Sequence, residues 1–188
     1  NDSTFKTYNV KKMKLKSYNI DYGTGDKEFL SFIEKFAQDL PNIKPSDVII
    51  KSPSGRFKLV LFDKLRGRDG TYVNSPAMIH VKTGLIEVSK QHFLKLSVNQ
   101  RIATLCHEYA HFYKNPSAGF DVRDEYGADL HGLSVFLARG YGESEYLNAF
   151  RKTFNGHPTT QNRASWKLIQ DFSKKIHSGQ FFGKPYNL

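Results

Sequence analysis

The apolar positions of this chain change their period along its length. Phe29, Leu30, Ile33, Phe36 and Leu40 fall three to four apart, the stripe of an amphipathic helix that Pro41 ends. Val48–Lys51 and Arg56–Phe62 then read as strands on either side of a Ser52-Pro53-Ser54-Gly55 turn. Arg66-Gly67-Arg68-Asp69-Gly70 reads as a solvated loop, and Met78–Lys82 with Leu85–Ser89 as a hairpin around Thr83-Gly84. Helical spacing returns at Val98, Ile102, Leu105, Cys106 and Tyr109. Ser97 and Gln100 form a capping box at the start of this helix and Asn115-Pro116 stops it, so it spans about 98–114. Further helices run through Leu130, Leu133, Phe136 and Leu137 to a stop at Arg139-Gly140, then over Glu143–Phe154 and Thr160–His177, with Phe150, Trp166, Ile169 and Phe172 apolar. The order predicts an α+β domain: a small sheet with an edge-strand hairpin packed on helix 98–114, followed by a mostly helical C-terminal half.

At 188 residues the chain suits one domain over 1–188 with a real core, rich in Phe and Tyr, behind a basic, extended segment at 1–25. No apolar run approaches the ~18 residues of a membrane span, so a soluble chain without a transmembrane segment is expected. There is no initiator Met and no secretory h-region, as in a processed form or a fragment, and the compartment is not fixed. The single cysteine, Cys106, precludes an internal disulfide and reads as a small apolar residue on its helix.

The formal charge of +10 is uneven. Lys6, Lys11, Lys12, Lys14 and Lys16 face only Asp2 in the first twenty residues, whereas Glu108, Asp121, Asp124, Glu125 and Asp129 collect between 107 and 131. The basic N-terminus would attract nucleic acid or an anionic surface. No nucleic-acid motif accompanies it, and a solvated basic surface is favoured.

Acid gathers around the most informative five residues, His107-Glu108-Tyr109-Ala110-His111. Spaced four apart on a helix, the two histidines stack on one face and can share a metal ion, while Glu108 projects beside them as a general base. A catalytic zinc takes a third protein ligand and keeps a fourth position open. The HExxHxxGxxH continuation is excluded, because Lys114 stands at the glycine and Ser117 at the third histidine. Cys106 adjoins His107 and points elsewhere on the helix, which argues against a deformylase-type cysteine ligand. Glu125 and Asp129, four apart in Glu125-Tyr126-Gly127-Ala128-Asp129, would share a helix face: Glu125 as ligand with Asp129 accepting a hydrogen bond from a ligand histidine, or both as a solvated acidic pair. His80 and His92 lack partner spacing and read as ordinary polar positions.

HEYAH followed by ExxAD resembles the gluzincin zinc metallopeptidases, particularly the CAAX-protease-like branch and its small soluble relatives, the minigluzincins. His157-Pro158-Thr159-Thr160-Gln161-Asn162-Arg163 is similar to the HPxxxxR stretch of that branch. The resemblance covers roughly residues 78 to 170, and departs in lacking membrane helices and in its short gap between HExxH and Glu125. It implies a zincin-like fold, one Zn2+ per chain on His107, His111 and Glu125, and a protein or peptide substrate. It also implies a strand at Met78-Ile79-His80-Val81, or its partner, that pairs with an extended peptide. His157 and Arg163 are implied to belong to the active-site cleft. His157 would donate to the oxyanion, with Arg163 and Tyr126 behind it, or would occupy the fourth zinc position at rest; without either role, His157-Pro158 is a helix N-terminal turn. The activity expected is zinc-dependent endopeptidase hydrolysis with Glu108 as general base. The alternative is a basic structural or binding protein of a larger assembly that retains a non-catalytic metal site. Retention of Glu108 favours catalysis, since structural zinc sites dispense with a base.

Overall fold

A computed structural model describes residues 23–80, 82–112, 132–133, 135–137, 139–154 and 170. Its elements are α1 (Gly23–Asp39), a 3-10 turn at Leu40–Asn42, β1 (Ile50–Lys51), β2 (Lys58–Phe62), β3 (Ala77–Ile79), β4 (Leu85–Ser89), α2 (Lys90–Phe93), α3 (Val98–Phe112) and α4 (Glu143–Phe154). Helices and a four-stranded sheet of order β1-β2-β4-β3 make a mixed α+β arrangement. β1 runs antiparallel to β2, β2 parallel to β4, and β3 antiparallel to β4. Among the described residues β1 and β3 are therefore the sheet edges.

Leu59, Val60 and Leu61 are consecutive buried residues in β2, the pattern of a strand covered on both faces. The stripe foreseen on α1 joins the same core, with Phe29, Leu30, Ile33, Phe36 and Leu40 all buried. Removing a ring such as Phe29 would cost roughly 3–5 kcal/mol through lost burial and the cavity left behind.

Local chemistry sets the boundaries. The Ser52–Gly55 turn closes as the sequence implies: Ser52 N–H donates to the Phe57 carbonyl at 2.9 Å, Phe57 N–H donates to Ser52 Oγ at 3.1 Å, and Gly55 takes a positive φ of 76°. β1 is shorter than the foreseen strand from Val48, because Val48 and Ile49 stand exposed and Val48 N–H turns to Ser46 Oγ. The hairpin also moves. Thr83 and Gly84 both donate to the His80 carbonyl, which draws residues 80 and 82 into the turn and leaves β3 at Ala77–Ile79. The short α2, capped by Ser89 Oγ accepting from His92 N–H, was not anticipated. α4 occupies the predicted 143–154. Gln170 is helical, and the rest of the predicted helix at 160–177, like segment 1–22, lies outside the described residues.

The helical stretch containing 132–133, 135–137 and 139 ends as foreseen. Gly140 has φ 109° and donates to the Leu137 carbonyl, and Tyr141 N–H reaches Phe136 O. Stacking of Phe136 on Tyr141, 4.8 Å between centroids, completes the Schellman arrangement. Glu34 on α1 then binds this end, accepting from Arg139 at 2.8 Å and from the Tyr141 hydroxyl. Burial and that carboxylate push the Tyr141 phenol well above its usual pKa. Arg101 is 7% exposed and gives its guanidinium to the carbonyls of Phe93 (2.9 Å) and Ala37 (2.8 Å), both in last helical turns where a cation is favoured. Among the described residues no helix is long and apolar enough to cross a membrane.

Candidate metal centre and cleft

α3 is fixed at its start and along its back, which determines what its front presents. The capping box forms as read from the sequence: Ser97 N–H donates to Gln100 Oε1 at 3.2 Å and Gln100 N–H to Ser97 Oγ at 3.1 Å. Lys152 and Asn99 add bonds between α3 and α4, to Gln100 Oε1 at 2.8 Å and from Asn99 to Glu145 at 3.2 Å. Ile102, Leu105, Cys106 and Tyr109 are buried on the back. The Tyr109 ring stacks on Phe29 with centroids 4.2 Å apart and lies 6.1 Å from Phe57. Residues two positions either side of Tyr109 then face the opposite way, toward a cleft.

In that cleft the Nε2 atoms of His107 and His111 lie 3.3 Å apart, with the rings at 88°. Two nitrogens bound tetrahedrally to zinc at about 2.0–2.1 Å stand about 3.3 Å apart. The separation of the pair therefore matches that of two corners of a zinc tetrahedron, and neutral imidazole is a suitable donor. Glu108 lines the same cleft. Among the described residues no third His, Cys, Asp or Glu completes a metal-holding group. Glu125 and Asp129, the sequence candidates for that role, lie outside the described residues, as do Tyr126, His157 and Arg163.

β3 and α4 wall the cleft. Ala77, Met78 and Ile79 line it from the sheet, and Tyr146, Ala149 and Phe150 from the helix, around a cavity of about 390 Å³. The pairing decides which backbone groups of β3 stay available. Pro76·Ser89 and His80·Leu85 are hydrogen-bonded positions, since Ser89 N–H donates to Pro76 O at 2.8 Å and His80 N–H to Leu85 O at 2.9 Å. Alternation makes Met78·Glu87 the third and turns the N–H and C=O of Ala77 and Ile79 to the open edge. Ser75 Oγ already donates to the Ala77 carbonyl at 2.9 Å, so Ile79 is the main remaining edge residue.

Met78 and Ile79, expected to meet substrate, thus line the cleft, while His80 is exposed and engaged with β4. Its backbone N–H serves β4 and its ring pairs with Glu87 at 3.0 Å. Val81 lies outside the described residues. His92 bridges Ser89 Oγ at 2.8 Å and Asn74 Oδ1 at 2.7 Å, away from the histidine pair. Burial, then Lys95 and Lys64, lower its pKa.

Two residues were missed in the sequence. Tyr146 lines the cleft. Gly132 lies against α3: a β-carbon there would fall 3.0 Å from the Cys106 carbonyl oxygen and 3.1 Å from the His107 Cα. An isolated glycine within a helical apolar pattern was the available signal for such an approach. No protein-family model, curated protein or solved structure matches the chain.

Proposed function

We propose that this chain is a zinc-dependent endopeptidase of zincin-like build. The observation that carries the reading is the 3.3 Å convergence of His107 and His111 Nε2 in a cleft that Glu108 also lines, beside the open edge of β3. His107 and His111 would hold the ion with Glu125 as third ligand and Asp129 behind it. Glu125 stands seven residues before Gly132 in the sequence, and Gly132 is the residue that meets His107. Bound zinc supplies a Lewis acid that lowers the pKa of water toward ~7 and polarises a carbonyl.

The chain's own groups supply the rest. Glu108 takes the proton of the attacking water and returns it to the leaving amine. Ile79 pairs with the backbone of an extended peptide and so holds the scissile carbonyl along the cleft. His157, with Arg163 and Tyr126 behind it, donates to the oxyanion.

Glu108→Gln separates ligand from base. The variant should keep one zinc per chain by metal analysis while turnover of a peptide library falls by about 10²-fold or more. Wild-type rates from the zinc-loaded variant would sink the mechanism.

A further inference from the structure

The charged segment that precedes β3 is a closed hairpin. Leu65 is buried, Val73 N–H donates to its carbonyl at 2.9 Å and Gly67 N–H to the Thr71 carbonyl at 2.8 Å, so Arg66 and Tyr72 face each other as a bridge. Asp69 seals the tip, accepting from Thr71 N–H at 3.0 Å and from its hydroxyl at 2.7 Å. Arg66 donates to the Gly70 carbonyl at 2.7 Å and to the Tyr72 hydroxyl at 2.8 Å, and its guanidinium carbon stands 4.1 Å from the centre of the Tyr72 ring. Lys64 Nζ is 5.2 Å from the same centre. Two cations thus converge on one ring that is 59% exposed. Lys95 adds to this field, since it and Lys64 both act on His92, behind the burial that chiefly lowers its pKa. Among the described residues none of Lys64, Arg66, Arg68 and Lys95 makes an ion pair with a carboxylate, and Asp69 is engaged by Thr71. Like charges gathered in this way repel, and a bound anion relieves the repulsion. The cleft wall is close: Ser75 lines it three residues after Tyr72, at most about 11 Å of extended chain. His92 holds the intervening Asn74 at 2.7 Å.

We propose that this hairpin, with Lys95, is an exosite that captures acidic residues of an extended substrate some positions away from the bond to be cut, so that the substrates are peptides or proteins with an acidic segment near the cleavage site. The identity of the substrate rests on the endopeptidase reading; the binding of an acidic segment does not. A peptide paired with Ile79 and followed along β3 past Ser75 reaches the hairpin after about four to seven residues, because peptide and strand share one rise per residue. There the remaining N–H groups of the Arg66 guanidinium, fixed in direction by Gly70 and Tyr72, can take a carboxylate, with Lys64 beside them. Carboxylates suit the site better than a nucleic acid does, because the Tyr72 ring already serves the two cations and is not an open platform for a base.

The test uses zinc-loaded protein and quenched-fluorescent peptides that share a central sequence and carry a block of Glu at the N-terminal end, a block of Glu at the C-terminal end, or Gly at both. The Glu peptide whose block reaches the hairpin should show a KM about tenfold below that of the Gly peptide at equal kcat, since charge pairs remote from the reacting atoms contribute binding alone. Salt at about 0.5 M should erase the difference. Lys64→Glu combined with Arg66→Glu should transfer the preference to a peptide with a Lys block, which loss of a merely structural hairpin would not do. Lys51→Glu, the same charge change beside Lys58 at the opposite end of β2, should leave it intact. Lys95→Glu, outside the hairpin, should raise the KM of the preferred Glu peptide about two- to threefold and serves if the double variant does not fold. Independently of cleavage, fluorescein-labelled hexaglutamate is titrated into the wild-type protein at low salt and followed by anisotropy. Saturable binding that salt and the charge reversals remove supports the exosite even if no peptide is cut, an outcome that would instead remove the endopeptidase reading. Absence of saturable hexaglutamate binding, an acidic preference that survives the charge reversals, or tighter binding of an oligothymidylate of equal charge at the same residues overturns the assignment.

Discussion

Gly132 and His107 are in backbone contact: a β-carbon on Gly132 would stand 3.1 Å from the His107 Cα. The helix after the HExxH segment is thereby pressed onto α3 at a proposed zinc ligand. Gly132→Ala would have to displace the Tyr146 hydroxyl, which can move, and the Cys106 carbonyl, which cannot move without shifting α3. The expected cost is about 1–3 kcal/mol in denaturant unfolding, with weaker zinc affinity in the folded variant. Unchanged stability together with unchanged zinc titration would show that the contact does not position His107.

The third ligand can be tested by separating Glu125 from its neighbour. Glu125→Ala removes a donor and should leave the purified protein without stoichiometric zinc. Asp129→Asn removes only a hydrogen-bond acceptor and should weaken affinity by about 10- to 100-fold. Full zinc occupancy in Glu125→Ala would move the assignment to Asp121, Asp124 or Asp129.

What could be read from the sequence follows from how local each determinant is. The Ser97–Gln100 capping box, the span of α4 and the glycine stop at Gly140 depend on residues a few positions apart, and all three form. The facing histidines are equally local, since a four-residue helical spacing brings their Nε2 atoms to 3.3 Å. Strand partners are not local. The apolar residues of β2 and β4 mark buried positions but do not show that Lys58 lies beside Leu85 in a parallel pair. The end of β3 was misplaced because His80 accepts two hydrogen bonds across the Thr83-Gly84 turn, a preference of that turn rather than of residues 80–82. Val48 and Ile49 look like strand residues, yet with Val48 N–H held by Ser46 they stay outside the ladder. Gly132 and Tyr146 meet α3 across long sequence separations, which no periodicity encodes.

His92 predicts a pH dependence of stability unconnected with the metal. Burial and the nearby Lys95 and Lys64 depress its folded pKa below the ordinary value of about 6.5. Between the two values the unfolded chain binds more protons, so stability rises with pH in that window. The native state should therefore lose stability as pH falls below about 6.5, until the folded ring is itself protonated. The difference between wild type and His92→Gln in urea unfolding at several pH values isolates this contribution. A difference that does not vary with pH, or an NMR titration of the His92 ring at or above the ordinary value, would refute it.

The edge of β3 allows a substitution that spares the sheet and acts only on a paired substrate. Ile79 directs its N–H away from β4, so proline at that position removes no bond of the β3–β4 ladder, and its fixed φ is tolerated on an edge strand. An extended peptide added to this edge would lose one main-chain hydrogen bond. With a net value near 1.4 kcal/mol for such a bond, kcat/KM on peptides of eight or more residues should fall about tenfold in Ile79→Pro. Zinc content should stay at the wild-type level, because Ile79 lies on the wall of the cleft and not among the proposed ligands. Dipeptides cannot form the ladder, so they should be cut slowly by wild type and no more slowly by the variant. Met78→Pro is the contrasting change, since the Met78 N–H belongs to the β4 pairing and its loss should lower thermal stability. If Ile79→Pro cleaves long peptides at the wild-type rate, substrate does not add to β3. If dipeptides are cut as efficiently as long peptides by the wild-type protein, the cleft belongs to an exopeptidase.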